Sequence, residues 1–331
     1  MSFIRICLYS ILFRSLPDKV PFLDDSVRTK HASMYFHHNY TSLPFEQFEF
    51  DIISSRTTIM ASEQYPSSFQ VMTYNIRFDT NQDGPNQWHH RKDRVLNLIH
   101  KYTPDLLGVQ EALPQQMADL RAGLVDYGCY GVGRNDGKDS GEFSAVFFRH
   151  NTFEPCDKGT FWLSETPDTP GSKGWDACLP RICSWIKLRD RVMNKEVYYF
   201  NTHFDHRGAT ARRESARLIL NRIEQMTGSS IPAILTGDFN TNPQSDAYRT
   251  MVTNSPFLDA KRSTQSAHTG PEGTWSTFNV RSPIGDRIDY IFVTSSHFQV
   301  LNHAHLTDSY NNAYPSDHLP VLAKLVYQDK H

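Results

Sequence analysis

From residue 68 onward, short apolar runs outnumber amphipathic helices, and the helices fall between groups of those runs. "FQVMTYNIRF" (69–78) alternates apolar and polar positions, the period-two mark of a half-buried strand. "QWHHRKDRVLNLIHKY" (87–102) instead sets Val95, Leu98, Ile99 and Tyr102 at helical spacing, and Pro104 stops it. "DLLGVQEA" reads as a buried strand, and "LPQQMADLRAGLVDY" as a helix with Pro114 near its first turn. "SAVFFRH", "GTFWLSE", "RICSWIKL" and "KEVYYFNTHF" then follow as strands without a long helix. "ATARRESARLILNRIEQM" (209–226) turns Leu218, Ile219, Ile223 and Met226 inward and ends at Gly228. "IPAILTGDFN", "RIDYIFVT", "FQVLNHAHLT" and "HLPVLAKLVY" are further strands, with a short helix at "SDAYRTMVT". No internal repeat or linker is legible after residue 68. This order predicts a four-layer α/β sandwich, two packed mixed β-sheets flanked by helices, in one domain over residues 60–331.

Residues 1–59 differ. "MSFIRICLYSILF" is apolar but broken by Arg5 and too short to span a bilayer. The stretch to residue 59 shows neither alternation nor a helical face, so it reads as a poorly ordered extension ahead of Met60. No transmembrane segment is expected. Five cysteines (7, 129, 156, 178, 183) form no CxxC pair and read as buried thiols in a reducing, cytoplasmic setting, with secretion as the other reading. Lys plus Arg is 34 and Asp plus Glu is 36. A chain so balanced has no global grip on a polyanion, so any nucleic-acid surface must be local.

Polar residues gather where apolar runs meet turns. Asn75 ends the first strand, Glu111 closes "LLGVQE", His203 closes "VYYFNTH", and Asp317-His318 opens the last strand. In "AILTGDFNTNP" (233–243), Asp238 and Asn240 stand two apart, and they share a face if the extended conformation lasts through Asn240. That pair suits a metal, a phosphate, an attacking water or merely the start of a turn. Asp289 lies among Ile288, Tyr290 and Ile291, which implies burial and therefore a partner, for which His318 is the candidate. Singly, each residue is better read as a cap, a surface acid or turn chemistry.

Together, "TYNIRF", "GVQEAL", "FNTHFDHRG", "TGDFNTNP", "RIDYIFV" and "PSDHLPV" resemble the motifs of the endonuclease/exonuclease/phosphatase (DNase I-like) superfamily, in order. The resemblance implies the four-layer sandwich and Mg²⁺-dependent hydrolysis of phosphate esters, with Mn²⁺ as a substitute. Carried over by position, it implies Glu111 as principal metal ligand with Asn75 beside it, and Asp317 completing the site or binding a second ion. Asp238 would orient or deprotonate the attacking water, and Asn240 would hold a phosphoryl oxygen or that aspartate. His318, paired with Asp289, would face the phosphate as a donor or general base, and His203 would protonate the leaving group, although which imidazole is acid and which base differs within the family.

Substrate choice is expected from three stretches: Trp88 and Arg91 on the first helix, Trp175, Asp176 and Arg181 in a long Pro/Gly-rich connection, and Arg207 and Arg212 after His203. A guanidinium there would meet phosphate, and Trp175 would stack on a ring of the substrate. The bland reading makes the tryptophans core and the arginines surface ion pairs. The leading function is a phosphodiesterase or phosphatase acting on a phosphorylated small molecule, sugar or lipid head group. The alternatives are a 3′–5′ exonuclease on single-stranded RNA or DNA, distantly deadenylase-like, and a catalytically silent binding module. No obligate protein partner is inferred.

Overall fold

The computed structural model describes residues 68–228 and 230–328; the extension expected over residues 1–59 lies outside them. In chain order come β1 (Phe69–Asn75), α1 (Trp88–Tyr102), β2 (Leu106–Ala112), α2 (Pro114–Gly123), β3 (Tyr127–Tyr130) and β4 (Phe143–Arg149). β5 (Phe153–Trp162), β6 (Ile182–Asp190), β7 (Glu196–His203), α3 (Ala209–Thr227) and β8 (Ala233–Asp238) follow. The remaining elements are α4 (Asp246–Val252), β9 (Phe257–Asp259), α5 (Ala260–Ser263), β10 (Asp289–Thr294), β11 (Phe298–His305) and β12 (Val321–Tyr327).

Two six-stranded sheets result, ordered β11-β12-β1-β2-β4-β3 and β5-β6-β7-β8-β10-β9. Each is built around one parallel pair, β1/β2 and β7/β8, whose members are joined by α1 and α3. Each pair is flanked by antiparallel neighbours, β12 and β4 in one sheet, β6 and β10 in the other. The same strand plan thus occurs twice, although the sequence carries no legible repeat. Topology is set by where apolar faces and crossovers fall, and residue identity has diverged beneath it.

Strand alternation separates the layers. Val71, Leu106, Ile186, Tyr199, Ile234 and Ile291 pack between the sheets. Met72, Tyr74 and Leu107 point the other way, onto Val95, Leu98 and Ile99 of α1 and Leu120 of α2. Phe200 and Leu235 do the same toward Ile219 and Ile223 of α3 and Tyr248 and Met251 of α4. The four-layer α/β sandwich follows. Leu218 and Met226 sit only partly buried at the margin of that last layer, while Ala211, Ser215 and Ala216 complete its buried helix face. Gly228 ends α3 in the left-handed conformation (φ 54°), as its sequence position predicted.

Toward the C-terminal ends of the parallel strands, the seam between sheets turns polar. Gln110 Nε2 donates to Thr73 Oγ1 (2.9 Å) and Asn201 Oδ1 (2.7 Å), and Thr236 Oγ1 donates to Asn201 Oδ1 (3.1 Å). Gly108 makes room for this layer, because a Cβ there would lie 2.4 Å from both Asn201 Oδ1 and Thr236 Oγ1. The cleft opens immediately beyond.

One bulk expectation needs correction. Among the described cysteines only Cys183 is buried; Cys156 and Cys178 are exposed, Cys129 is intermediate, and all four are free thiols. Cys183 points inward from a central strand, whereas the other three fall on an edge strand or in connections. No helix among the described residues is long and apolar enough to cross a membrane.

Candidate active site

Register brings the predicted residues together. His203 on β7 pairs with Asp238 on β8, and Asp238 pairs in turn with Asp289 on β10, so three neighbouring strands present these groups in one row. Asn75 stands opposite Gln110 across the β1/β2 pair. Simple alternation would send Glu111, the next residue, toward the helices. A register irregularity between Val109 and Ala112 and a left-handed Glu111 (φ 66°) turn it back into the cleft. A glutamate in that conformation costs roughly 1–3 kcal/mol, the strain expected where function fixes a side chain.

Asn75 is the bridge between the sheets. Its Nδ2 donates to Glu111 Oε1 (2.9 Å) and to Asp238 Oδ2 (2.9 Å), while its Oδ1 accepts from Arg77 N (3.0 Å). Phe78 N holds the other Glu111 oxygen at 3.0 Å. Asn240 reaches the cleft differently from the sequence expectation. The strand stops at Asp238, and Asn240 lies in the left-handed region (φ 46°) with its backbone N–H on Asp238 Oδ1 (2.8 Å). Turn chemistry and site chemistry therefore coincide in Asp238. Asn240 Nδ2 donates to Phe204 O (3.0 Å), which fixes the amide orientation, so its contact with His203 Nε2 (3.0 Å) makes that nitrogen an acceptor.

The predicted Asp289–His318 pair is present. His318 Nδ1 donates to Asp289 Oδ2 at 2.9 Å, and Thr274 Oγ1 donates to the same oxygen at 2.6 Å. His318 Nε2 lies 3.8 Å from Asp238 Oδ2. Burial opposes a charge on His318, but Asp289 and Asp238 outweigh it and hold the imidazole well above its usual range. His203 goes the other way: burial, with Arg181 and Arg134 nearby, holds it well below, hence neutral. Burial and the neighbouring Asp289 push the Asp238 carboxyl up to about 7. Asp317 is also raised, first by burial and, against the pull of His318, by Glu111. Arg77 Nη1 stands 3.9 Å from Asp317 while its Nε bonds Asp83.

This donor set fits a hard divalent cation. Asn75, Glu111, Asp238 and Asp317 supply oxygens suited to Mg²⁺ or Mn²⁺, and the raised Asp238 and Asp317 carboxyls mark a crowd of acids that a cation would relieve. Ligand atoms of Glu111, His203 and Asp238 lie within 4.8 Å of one another, as do those of Asp238, Asp289 and His318. Asp238 is the shared member of both groups, more central than the motif reading made it.

The expected substrate residues divide. Arg181 lines the cleft, a volume of about 510 Å³ that it shares with Glu111, His203, His206, Asp317 and His318. It is buried and contacts His206 Nδ1 (3.0 Å) and Asp205 (3.5 Å), yet its Nε and Nη1 make no hydrogen bond. The rest do not line this cleft. Trp88 is buried on the α1 side of the core with Nε1 on Asp119 (2.8 Å). Arg91 is buried too, donating to the carbonyls of Ile76, Arg77, Asn86 and Pro315, so it positions the loops that carry Arg77 and Asp317. Asp176 accepts from Ala211 N (2.6 Å) and Thr210 N (3.2 Å), capping the N-terminus of α3. Arg207 is exposed and Arg212 donates to Asp205 O (2.9 Å). Trp175 is half-buried beside Glu165. Of these four, Asp176 ties the 163–181 connection to α3.

Several cleft residues escaped the sequence reading. Trp275, 46% exposed, lines the cleft in place of Trp175. Its place in the polar segment "TGPEGTWST" was a usable signal, since an aromatic there has no strand or helix face to join. Glu142 also lines the cleft and is ion-paired to Arg134. Thr274 and Ser316 are short hydroxyls whose roles depend on tertiary contacts, and no local signal marks them.

A family profile described as the Endonuclease/Exonuclease/phosphatase family matches residues 72–318, and the chain belongs to this family, whose members hydrolyse phosphate esters. It is similar to an endonuclease/exonuclease/phosphatase from Bacteroides vulgatus, with 42% identity and a TM-score of 0.75 over 79% of this chain and 100% of that one. It is also similar to a mannosyl-6-phosphatase from Bacteroides thetaiotaomicron, with 39% identity and a TM-score of 0.74 over 78% of this chain and 99% of that one. Nocturnin of Xenopus laevis is 24% identical over 308 residues, 81% of this chain and 75% of that protein. The chain spans 60% of an uncharacterized mimivirus protein to which it is 28% identical over 169 residues.

Proposed function

We propose that this chain is a divalent-metal-dependent phosphatase that removes the terminal phosphate of a phosphorylated sugar. The observation that carries the reading is Arg181, a buried guanidinium ion-paired through Nε to Asp205 but with Nη1 free of any hydrogen bond, in the same cleft as the Glu111 and Asp317 oxygens. A phosphomonoester presents more charge than a diester, and a cation on each wall suits that dianion. The confined cleft, the near-neutral chain and the 39% identity to a mannosyl-6-phosphatase support a small substrate over a nucleic-acid strand.

Asn75, Glu111 and Asp317 would hold the ion. When bound, Mg²⁺ or Mn²⁺ neutralises charge on the phosphoryl oxygens as bonding to the attacking oxygen develops. Asp238, its carboxylate aimed by the Asn240 backbone N–H, accepts the proton of the attacking water. His318, kept protonated by Asp289, donates a hydrogen bond to a phosphoryl oxygen as charge builds there. Arg181 holds a second oxygen, and Trp275 stacks on the sugar face. His203, neutral and accepting from Asn240, orients that amide, and solvent supplies the proton that the departing sugar oxygen takes up. Exonuclease action is the second reading, because the description of the matching family names exonucleases beside phosphatases. The retained acids and imidazoles weigh against a silent module.

The test is a panel of mannose 6-phosphate, glucose 6-phosphate, bis-(4-nitrophenyl) phosphate and a labelled single-stranded oligonucleotide, each with Mg²⁺. Discrimination of at least about 100-fold in kcat/KM toward a hexose 6-phosphate is expected, well within what a built polar site gives. Faster shortening of the oligonucleotide would overturn the reading in favour of the exonuclease.

A further inference from the structure

A second group of imidazoles involves none of the cleft-lining residues. His303 and His305 stand two apart on β11 and so share a face. The segment after α5 runs alongside, with His305 N donating to Thr269 O (2.9 Å) and Thr269 N to His303 O (3.2 Å). Gly270, at φ 94°, permits the approach, since a Cβ there would lie 2.1 Å from the His305 carbonyl oxygen. His268 is thereby laid against both strand histidines. The three ring centroids form a near-equilateral triangle with sides of 4.5, 5.0 and 5.2 Å. One ring nitrogen from each lies within 4.8 Å of the others.

Tautomers decide what this triangle can do. His305 Nδ1 lies 2.7 Å from Pro271 O, and a carbonyl only accepts, so Nδ1 carries the proton. Its Nε2 is then a lone pair, buried and without a hydrogen-bond partner. His268 Nε2 donates to the same carbonyl at 3.2 Å, which leaves Nδ1 as its lone pair, 3.0 Å from His303 Nδ1. His268 Nδ1 also lies 3.3 Å from His303 O, a contact less favourable to this tautomer than the Pro271 bond is to it. A ring N–H fixed on a backbone carbonyl is the arrangement that orients metal-binding histidines. Burial holds His303 well below its ordinary range and His305 down to about 3, so both are neutral; the His303 Nδ1 proton facing His268 Nδ1 would move to Nε2 on metal entry.

We propose that His268, His303 and His305 bind a borderline-soft divalent ion of the zinc type, apart from the oxygen-lined cleft. Three imidazoles and a water satisfy tetrahedral Zn²⁺ or Co²⁺, whereas Mg²⁺ prefers oxygen ligands, so donor chemistry keeps the two sites distinct. Lys261 and Arg287 are the cations nearby, paired with Glu272 and Asp259, and they weaken the site relative to an isolated trio. The bound ion would fasten residues 264–273 to β11. That segment leads directly into Thr274, which bonds Asp289, and Trp275.

The test uses the tag-free full chain carrying Glu111→Gln to weaken the cleft, titrated with Co²⁺ in excess Mg²⁺ and followed by visible absorption and equilibrium dialysis. One Co²⁺ per chain with four-coordinate bands, displaced by Zn²⁺, is expected. His268→Gln, at a half-buried position tolerant of change, should weaken binding by about 100-fold or more, since altering even a supporting residue costs 10–100-fold. His305→Gln should do the same, with circular dichroism reporting the fold. Absence of Co²⁺ binding in excess Mg²⁺, or binding equal to the parent in a folded His268→Gln protein, would overturn the proposal.

Discussion

Replacing Asp289 by Asn changes one charge and almost no volume. Asp289 is 1% exposed and His318 5%, and one carboxylate oxygen serves both His318 Nδ1 (2.9 Å) and Thr274 Oγ1 (2.6 Å). Asparagine keeps an acceptor for both donors but leaves the imidazolium without its closest counter-charge. Removing one member of a buried ion pair costs about 3–5 kcal/mol. If that loss falls on His318 in the transition state, each 1.36 kcal/mol is tenfold, so kcat drops by roughly 10²–10⁴. Stability should fall too, but by less than that figure, because Asp289 also repels Asp238, and its neutralisation relieves that carboxylate. The assay is phosphate release from a hexose 6-phosphate under saturating Mg²⁺, with KM measured in parallel and chemical denaturation as control. A folded Asp289→Asn protein with kcat within about threefold of the parent would show that the His318 charge takes no part in the chemistry.

Two further outcomes follow from the same contacts. Arg181→Lys keeps the charge but loses the planar fork, so KM for the phosphomonoester should rise about tenfold with a smaller change in kcat; steady-state kinetics decide, and an unchanged KM would remove Arg181 from the phosphate. Arg91→Met should destabilise the fold by about 3–5 kcal/mol in urea titration, because four backbone carbonyls lose a charged donor; a variant as stable as the parent would refute its positioning role.

The strand-end residues were legible because each combined an apolar run with a polar terminus, and period-two alternation carried Asn75, His203 and Asp238 to the seam between sheets. Asp289 was legible through its burial, which demanded a partner and found His318. Glu111 reached the cleft only through a bulge and a left-handed backbone that alternation does not anticipate. Asn240 likewise enters from a turn where an extended strand was expected. Arg91 and Asp176 looked like ligand contacts because charge near a motif reads the same whether it meets substrate or backbone. Only tertiary packing shows that one is buried among carbonyls and the other caps a helix. The doubled sheet plan was invisible for a related reason, since equivalent strands share direction and order while their residues differ.

On the proposed reading, acids and amides from both sheets hold one divalent cation beside His318 and Arg181. A Mn²⁺-soaked crystal, measured for anomalous scattering, tests it most directly. The expected result is a peak inside the cleft, in contact with Glu111 and flanked by Asn75 and Asp317. A cleft without a peak, or a Mn²⁺ ion bound away from Glu111, would contradict it.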